Sequence, residues 1–254
     1  MNTEKKFNKK KFRILRMKDK TDKSVIKKSK IFDVPMRLGI VGGTGSGKTN
    51  IIGMLLADPL KQFYRDVWAG EDIYIFSGSA KTDNKMHSII KALDIPSSNI
   101  FNDYDDDVVN IIYEEIEDRI ADIKGNKKNP HHLFIFDDLS FSHSIRSKRN
   151  NALGRLFLNG RKNNCSVWYI AQKYNQILPA VRVNLSGLIL FNVPTSELEM
   201  VEKDHNFLAN RKEFYKMFRD NVKEKHDFLV VNYSNNFDEM YLDKNFIEIP
   251  HTKK

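Results

Sequence analysis

The most informative part of this 254-residue sequence is Gly42-Gly43-Thr44-Gly45-Ser46-Gly47-Lys48-Thr49. It fits the pattern G-x-x-x-x-G-K-[ST] of a phosphate-binding loop at every required position. Apolar residues before it, at 36–41, predict a short strand, and the apolar residues 50–57 predict a helix. In such a strand–loop–helix unit the glycines let successive N–H groups point inward, and the helix N-terminus adds the positive end of its dipole. The segment therefore predicts a phosphate site.

This motif assigns roles to individual residues. Lys48 is expected to reach the β- and γ-phosphates of a nucleotide, and the Thr49 hydroxyl is expected to ligate Mg²⁺. The predicted nucleotide-binding residues are Gly42, Gly43, Thr44, Gly45, Ser46, Gly47, Lys48, Thr49 and Asn50. The alternative is an ordinary glycine-rich turn that matches the pattern by accident.

Length and composition limit the class of protein. The chain is long enough for one large α/β domain with a proper core. A single cysteine, Cys165, excludes an internal disulfide and a cysteine-based zinc cluster, and we expect it to be a small buried residue. No apolar run approaches the length of a membrane span, and no apolar segment follows the lysine-rich start. We therefore expect an intracellular protein without a membrane span.

The positive charge is concentrated at the start of the chain. The formal net charge is +9, and residues 1–30 contain thirteen basic and three acidic residues, a net charge of +10. We predict a flexible basic arm at 1–30 and a folded domain at 31–254. Such an arm favours a polyanion such as nucleic acid. A solubilising or localisation tail is the open alternative.

Strand and helix patterns alternate along the rest of the chain. Strands are predicted at 72–76, 132–136, 166–171, 186–191 and 227–233, and helices at 85–93, 105–123, 151–158 and 207–221. This alternation favours an α/β fold with a mainly parallel central sheet flanked by helices. The acidic residues 105–107 are expected to complement a helix dipole and not to bind a metal.

Two further strand ends carry polar residues suited to chemistry. Asp137 and Asp138 follow the apolar run 132–136, where Asp137 is placed to hold Mg²⁺ and Asp138 to orient an attacking water. A helix cap or an indirect Mg²⁺ ligand is the alternative for Asp138. Gln172 closes the strand 166–171, and its amide is suited to sense a γ-phosphate or simply to close a buried strand.

Four segments together resemble a known family. Residues 42–49, 133–138, 158–172 and 179–184 are similar to the FtsK–HerA superfamily of P-loop ATPases. Within it they are most similar to the poxvirus-type genome-packaging ATPases of large DNA viruses and virophages, and the resemblance spans about 31–233. It implies a P-loop NTPase fold of the catalytic-acid type, in which an additional strand, the one ending in Gln172, lies between the phosphate-loop strand and the acidic strand.

The resemblance also implies a function. It implies ATP hydrolysis with Mg²⁺ that drives double-stranded DNA into a capsid, performed by a homo-oligomeric ring of five or six subunits in contact with capsid proteins. The implied location is the host cytoplasm or the viral assembly site, with association with the virion left open. A P-loop small-molecule or nucleotide kinase and a non-motor ATP-binding assembly factor are the alternatives.

The implied catalytic residues are Lys48, Asp138 and Gln172, with an arginine supplied across a subunit interface. Arg161 and Arg182 are the candidates for this arginine, followed by Arg155, although each could equally be a surface or DNA-contacting residue. Many members of the superfamily carry Glu at the position of Asp138. Besides the arm, the basic segment 142–150 is the other predicted DNA contact.

Overall fold

The structure is a computed structural model that describes residues 25–27, 31–80, 82–123, 130–139 and 152–251. Most of the predicted basic arm, at residues 1–24 and 28–30, and the basic segment 142–150 lie outside the described residues. In the part of the chain that the structure describes, no helix is long and apolar enough to cross a membrane.

Eight strands form one sheet. They are β1 (Arg37–Val41), β2 (Ile73–Ser77), β3 (Ile100–Phe101), β4 (His132–Asp137), β5 (Cys165–Ala171), β6 (Gly187–Phe191), β7 (Phe228–Asn232) and β8 (Tyr241–Leu242). Their order across the sheet is β3-β2-β4-β5-β1-β6-β7-β8. The pairs from β3 to β6 are parallel, whereas β7 and β8 are added antiparallel. The predicted mainly parallel α/β fold is confirmed.

Helices cover both faces of this sheet. The described helices are α1 (Lys48–Ala57), α2 (Asn84–Ala92), α3 (Asp106–Asp122), α4 (Ala152–Asn159), α5 (Pro179–Arg182), α6 (Thr195–His205) and α7 (Arg211–Asn221). In β4, Leu133 and Ile135 join one buried apolar cluster, while Phe134 and Phe136 join the other. Because successive side chains of a strand point to opposite faces, this split shows a sheet buried on both sides, as continuous apolar strands require.

The position of β5 sets the geometry of the sheet's carboxyl edge. β5 pairs with β4 on one side and with β1 on the other. This is the additional-strand order that the resemblance implied, and it places the strand ending before Gln172 between the acidic strand and the strand that leads into the phosphate loop.

Several element boundaries differ from the predictions. The helix predicted at 207–221 begins at Arg211, because the Asn210 side chain caps it by accepting a hydrogen bond from the Glu213 N–H. Leu208 is buried but lies outside the helix. The sequence patterns also missed β3, β8, α5 and α6, and Tyr241–Leu242 follows the strand that was predicted to be the last.

A short segment of the predicted arm packs on the domain. Ile26 exchanges two backbone hydrogen bonds of 2.9 Å with Val34, in an antiparallel bridge. Lys27 forms an ion pair with Asp33. The boundary between residues 30 and 31 stays a prediction, but Ile26 and Lys27 of the predicted arm already contact the domain.

The acidic residues 105–107 have structural roles at the start of α3. Asp105 is the N-cap, and its carboxylate accepts from the Asp107 N–H at 2.9 Å and the Val108 N–H at 3.3 Å. Asp106 is buried and accepts from the Ala152 N–H at 2.7 Å, which ties α3 to α4. The expectation of a helix terminus is confirmed.

Replacing the cap tests this role. Asp105→Ala is expected to lower the free energy of unfolding by about 1 kcal/mol, because two N–H groups of the first helical turn lose their acceptor. Chemical denaturation of both proteins measures it. Asp107→Ala, which removes an exposed carboxylate of the same turn, is the control and should cost less. A decrease in the free energy of unfolding that occurs only with added Mg²⁺ would contradict the capping role.

Candidate nucleotide-binding site

The loop after β1 needs glycine at positions 42, 45 and 47 for steric reasons. Gly45 and Gly47 have φ angles of 74° and 117°, a backbone region that side chains with a Cβ rarely adopt. A Cβ on Gly42 would lie 2.6 Å from Ser46 Oγ and 2.7 Å from Phe191 Cβ. Gly47 is also the N-cap of α1, so the loop feeds directly into the helix N-terminus.

Lys48 lies across this loop. Its Nζ donates to the carbonyl oxygens of Gly42 at 2.6 Å and Gly43 at 3.2 Å. Burial lowers the pKa of Lys48, and the nearby charges of Asp137 and Asp138 partly offset that effect. The ammonium group therefore lies between the loop and the acidic end of β4, where it can interact with phosphate oxygens.

Asp137 ends β4 beside the end of β2. The strand register sets it opposite Ser77, whose hydroxyl donates to Asp137 Oδ2 at 3.1 Å. Burial is the main cause that raises the pKa of Asp137 to about 6. The charges of Asp138 and Asp83 act in the same direction, and the Ser77 hydrogen bond and the Lys48 charge act in the opposite one. Ionised Asp137 is thus poorly compensated by the protein and suited to a cation.

These oxygen donors fit Mg²⁺. The Thr49 hydroxyl lies on the first turn of α1 and donates to Asp83 Oδ2 at 3.4 Å. Among the described residues, no group of three His, Cys, Asp or Glu side chains forms a metal cage. Mg²⁺ in nucleotide sites is usually held by one or two protein oxygens together with phosphate oxygens, so Thr49 and Asp137 are the residues that would hold it.

Asp138 and Gln172 form a direct pair. Asp138 has a left-handed backbone with φ of 51°, and its N–H donates to the Ile170 carbonyl at 3.2 Å. Gln172 Nε2 donates to Asp138 Oδ2 at 2.6 Å. The Gln172 N–H donates to Gln176 Oε1 at 3.0 Å, which fixes the turn after β5. Uncommon backbone conformations of this kind often occur at functional sites.

One cavity joins these groups. Its volume is about 330 Å³, and the lining residues are Thr44, Gly45, Gly47, Lys48, Thr49, Asn50, Ser79, Asp83, Lys85, Asp137, Asp138, Gln172 and His226. The loop, the acidic pair and the glutamine that were predicted separately therefore share one site. Three of the nine predicted nucleotide-binding residues, Gly42, Gly43 and Ser46, lie in the same loop but do not line the cavity.

The candidate arginines lie elsewhere in the fold. Arg161 precedes β5 and lines a cleft with Arg37 and Ser186, at the amino edge of the sheet. Arg182 pairs with Asp204 at 3.2 Å, and its guanidinium lies over the Tyr174 ring.

Arg155 is held by the carboxylates of α3, with Glu117 at 3.3 Å and Glu114 at 3.5 Å. None of the three arginines lines the cavity described above.

Sequence reasoning missed residues on both flanks of the site. Asp83 caps α2 by accepting from the Lys85 N–H at 2.8 Å, and an acid two residues before a predicted helix is a recognisable signal. Ser77 is identified only by the β2–β4 register. His226 contacts Ser46 across 180 sequence positions, and no local pattern predicts that contact.

Comparison with protein families gives one match to most of the chain. The model of the Poxvirus A32 protein family matches residues 23–242. The match begins inside the predicted arm and includes every residue of the cavity.

Individual relatives agree with this match. The chain is 27% identical over 190 residues to the DNA packaging protein OPG160 of vaccinia virus (strain Copenhagen), covering 74% of this chain and 64% of that protein. Among solved structures, the genome packaging NTPase B204 of Sulfolobus turreted icosahedral virus 2, in complex with AMPPCP, has a TM-score of 0.58 at 14% identity. That alignment covers 86% of this chain and 98% of B204.

A bacterial protein shares the same fold. ATPases 2 and 3 of EssC from Geobacillus thermodenitrificans give a TM-score of 0.55 at 16% identity, over 87% of this chain and 40% of that one. The fold is thus common to viral and bacterial proteins.

The raised pKa of Asp137 predicts a pH-dependent stability. In the folded protein this carboxyl releases its proton near pH 6, whereas in the unfolded chain it has already done so near pH 4, so the folded state loses stability as the pH rises through 6. Asp137→Asn should remove this loss. The difference in melting temperature between Asp137→Asn and the wild type should therefore be about 2–4 °C larger at pH 8 than at pH 5, in favour of the variant. This corresponds to a change of about 1 kcal/mol in the free energy of unfolding.

Thermal unfolding without nucleotide or metal measures this difference. Asp118→Asn makes the same chemical change on the exposed side of α3 and is the control. A difference between wild type and Asp137→Asn that stays constant from pH 5 to pH 8 would show that the carboxyl titrates normally.

Proposed function

Because the chain belongs to the Poxvirus A32 protein family, we propose that it is an ATP-hydrolysing DNA translocase that packages a viral double-stranded DNA genome. The observation that carries the proposal is the Gln172–Asp138 hydrogen bond of 2.6 Å beside a phosphate loop and Lys48. A loop alone indicates nucleotide binding, whereas a paired carboxylate and amide next to it suit hydrolysis and the sensing of its outcome.

Each residue of the site has a role in this proposal. Lys48 and the loop N–H groups hold the phosphates, and Thr49 and Asp137 hold Mg²⁺. When bound, Mg²⁺ supplies positive charge that stabilises the phosphate oxygens during transfer. Asp138 orients the attacking water and accepts its proton.

Gln172 couples this chemistry to movement. Its side chain holds the carboxylate, while its backbone N–H is bonded to Gln176 at the turn that leads to α5. A change in the Gln172 side chain upon loss of the γ-phosphate would therefore reach the turn and the helix after it. This is the mechanical link that a translocase requires.

The remaining parts of the proposal concern partners. We assign double-stranded DNA as the substrate that is moved, a homo-oligomeric ring as the working form, and capsid proteins as the docking partners. An arginine from a neighbouring subunit, Arg161 or Arg182, would stabilise the transferred phosphate. The work would take place inside the infected cell, at the site of virus assembly. The assignment rests on the family and on the basic composition of residues 1–30.

Hydrolysis assays with and without duplex DNA test the proposal. DNA should stimulate turnover of the wild type, and Lys48→Ala and Asp138→Asn should each lower it by about 100-fold or more, because one removes a phosphate ligand and the other the water-orienting carboxylate. Asp138→Asn should still bind ATP, as measured by fluorescence anisotropy of a labelled nucleotide.

Asp118→Asn, the exposed α3 control, should keep full turnover. Turnover that ignores DNA would contradict the translocase. Transfer of phosphate to a small acceptor would instead support a kinase, and ATP binding without turnover would support an assembly factor.

A truncation tests the role of the basic arm. Residues 1–24 contain ten basic and three acidic residues. Their removal should flatten the dependence of log Kd for duplex DNA on log salt concentration, by about 0.9 for each DNA phosphate that the arm neutralises. Hydrolysis without DNA should be unchanged, which serves as the control for folding. An unchanged slope would assign the arm to localisation or capsid docking.

A further inference from the structure

A segment of the chain that contains two lysines and a histidine lies against the phosphate loop. It consists of residues 223–227, which precede β7, and we refer to it as the 223–227 loop. His226 Nδ1 donates to the Ser46 carbonyl at 2.8 Å. The Lys225 ammonium lies 3.8 Å from the position that a Cβ on Gly45 would occupy. Both side chains thus reach the tip of the phosphate loop from the β7 side.

The 223–227 loop is held in place by its own hydrogen bonds. Asp227 is buried and accepts from the Lys223 N–H at 3.2 Å and the Glu224 N–H at 2.8 Å. Lys244 Nζ, next to β8, donates to the other carboxylate oxygen at 2.6 Å. These three bonds close the turn and leave Lys225 and His226 exposed at its tip, so the segment is preorganised beside the site.

Sheet order separates the two flanks of the cavity. β1 lies between β5 and β6, so the carboxylates of Asp137 and Asp138 are on one side of the phosphate loop and the 223–227 loop is on the other. A nucleotide whose γ-phosphate faces Asp138 and whose β- and γ-phosphates contact Lys48 must extend its nucleoside end away from the carboxylates. That direction leads to Lys225 and His226.

We infer that Lys225 binds the α-phosphate end of the nucleotide and that His226 is a positioning residue that fixes the 223–227 loop to the phosphate loop. The inference rests on the proposed nucleotide site and adds residues that the motif does not contain. A single added ammonium–phosphate contact at an exposed position corresponds to roughly a tenfold change in affinity, or about 1.4 kcal/mol.

Binding of ATP and ADP to the intact protein, measured by competition against a fluorescent nucleotide, tests the inference. Lys225→Ala should weaken both nucleotides by the same factor, about 10-fold, because both carry the α-phosphate. Lys223→Ala removes the same charge from the same loop at a position away from the phosphate loop, and it should leave both affinities unchanged. Lys48→Ala serves as the control for the phosphate loop itself.

The positioning role has its own pair of variants. His226→Ala should weaken both nucleotides, and His226→Asn, which keeps an N–H donor for the Ser46 carbonyl, should recover part of the loss. Equal losses in the two variants would contradict the positioning role.

Other outcomes overturn the assignment of Lys225. A loss of affinity for ATP alone would place Lys225 at the γ-phosphate. If Lys225→Ala kept both affinities while Lys48→Ala lost them, the inference would be overturned and the proposed function would be left intact. A wild type that binds neither nucleotide would overturn both.

Discussion

The pairing of β5 with both β4 and β1 is the constraint on which the site depends. Beyond the ends of the strands, the Asp138 N–H still bonds to the Ile170 carbonyl, and the Gly42 N–H still bonds to the Ala171 carbonyl at 3.1 Å. Two successive carbonyls of one strand thus hold the backbone of Gly42, at the start of the phosphate loop, and that of Asp138 at a fixed separation. Gln172, the next residue of the chain, projects between them. A shift of β5 by one residue would reverse the faces of its side chains and separate these groups.

Burial on both faces of the sheet concentrates the polar chemistry at one edge. The strand interiors are apolar, so the carboxylates, Lys48 and the glutamine lie where the strands end. Burial there disfavours the charged forms of both Asp137 and Lys48, as their shifted pKa values show. Their opposite charges compensate each other only in part. The charged side chains at this edge therefore make the protein less stable than apolar residues there would. The same incomplete compensation makes the site suited to a cation and to phosphate oxygens.

Local sequence patterns predicted those parts of the site whose residues are close together in the chain. The phosphate loop and the Asp137–Asp138 pair each depend on neighbouring residues, so periodicity and spacing identify them, as they identify the helix start at 105–107 outside the site. The position of Gln172 beside Asp138 could be predicted only with the strand order, which the resemblance supplied and the sheet confirms. Ser77 and His226 depend on strand register and on contacts across the chain, which no local pattern records. The helix start at Arg211 was missed because apolar residues before Asn210 extended the helical pattern into the preceding loop, in which only Leu208 is buried.

The locations of the arginines limit how a ring could complete the site. Among the described residues, no arginine lines the cavity, and its charged basic side chains are those of Lys48 and Lys85. Arg161 precedes β5, whose seven residues span about 20 Å, so it lies at the far edge of the sheet from its own phosphate loop. It can reach a transferred phosphate only if the amino edge of one subunit faces the carboxyl edge of the next. Arg182 would first have to break its contacts with Asp204 and the Tyr174 ring. Because Arg182 is the last residue of α5, its action on a phosphate of a neighbouring chain would require α5 to change conformation.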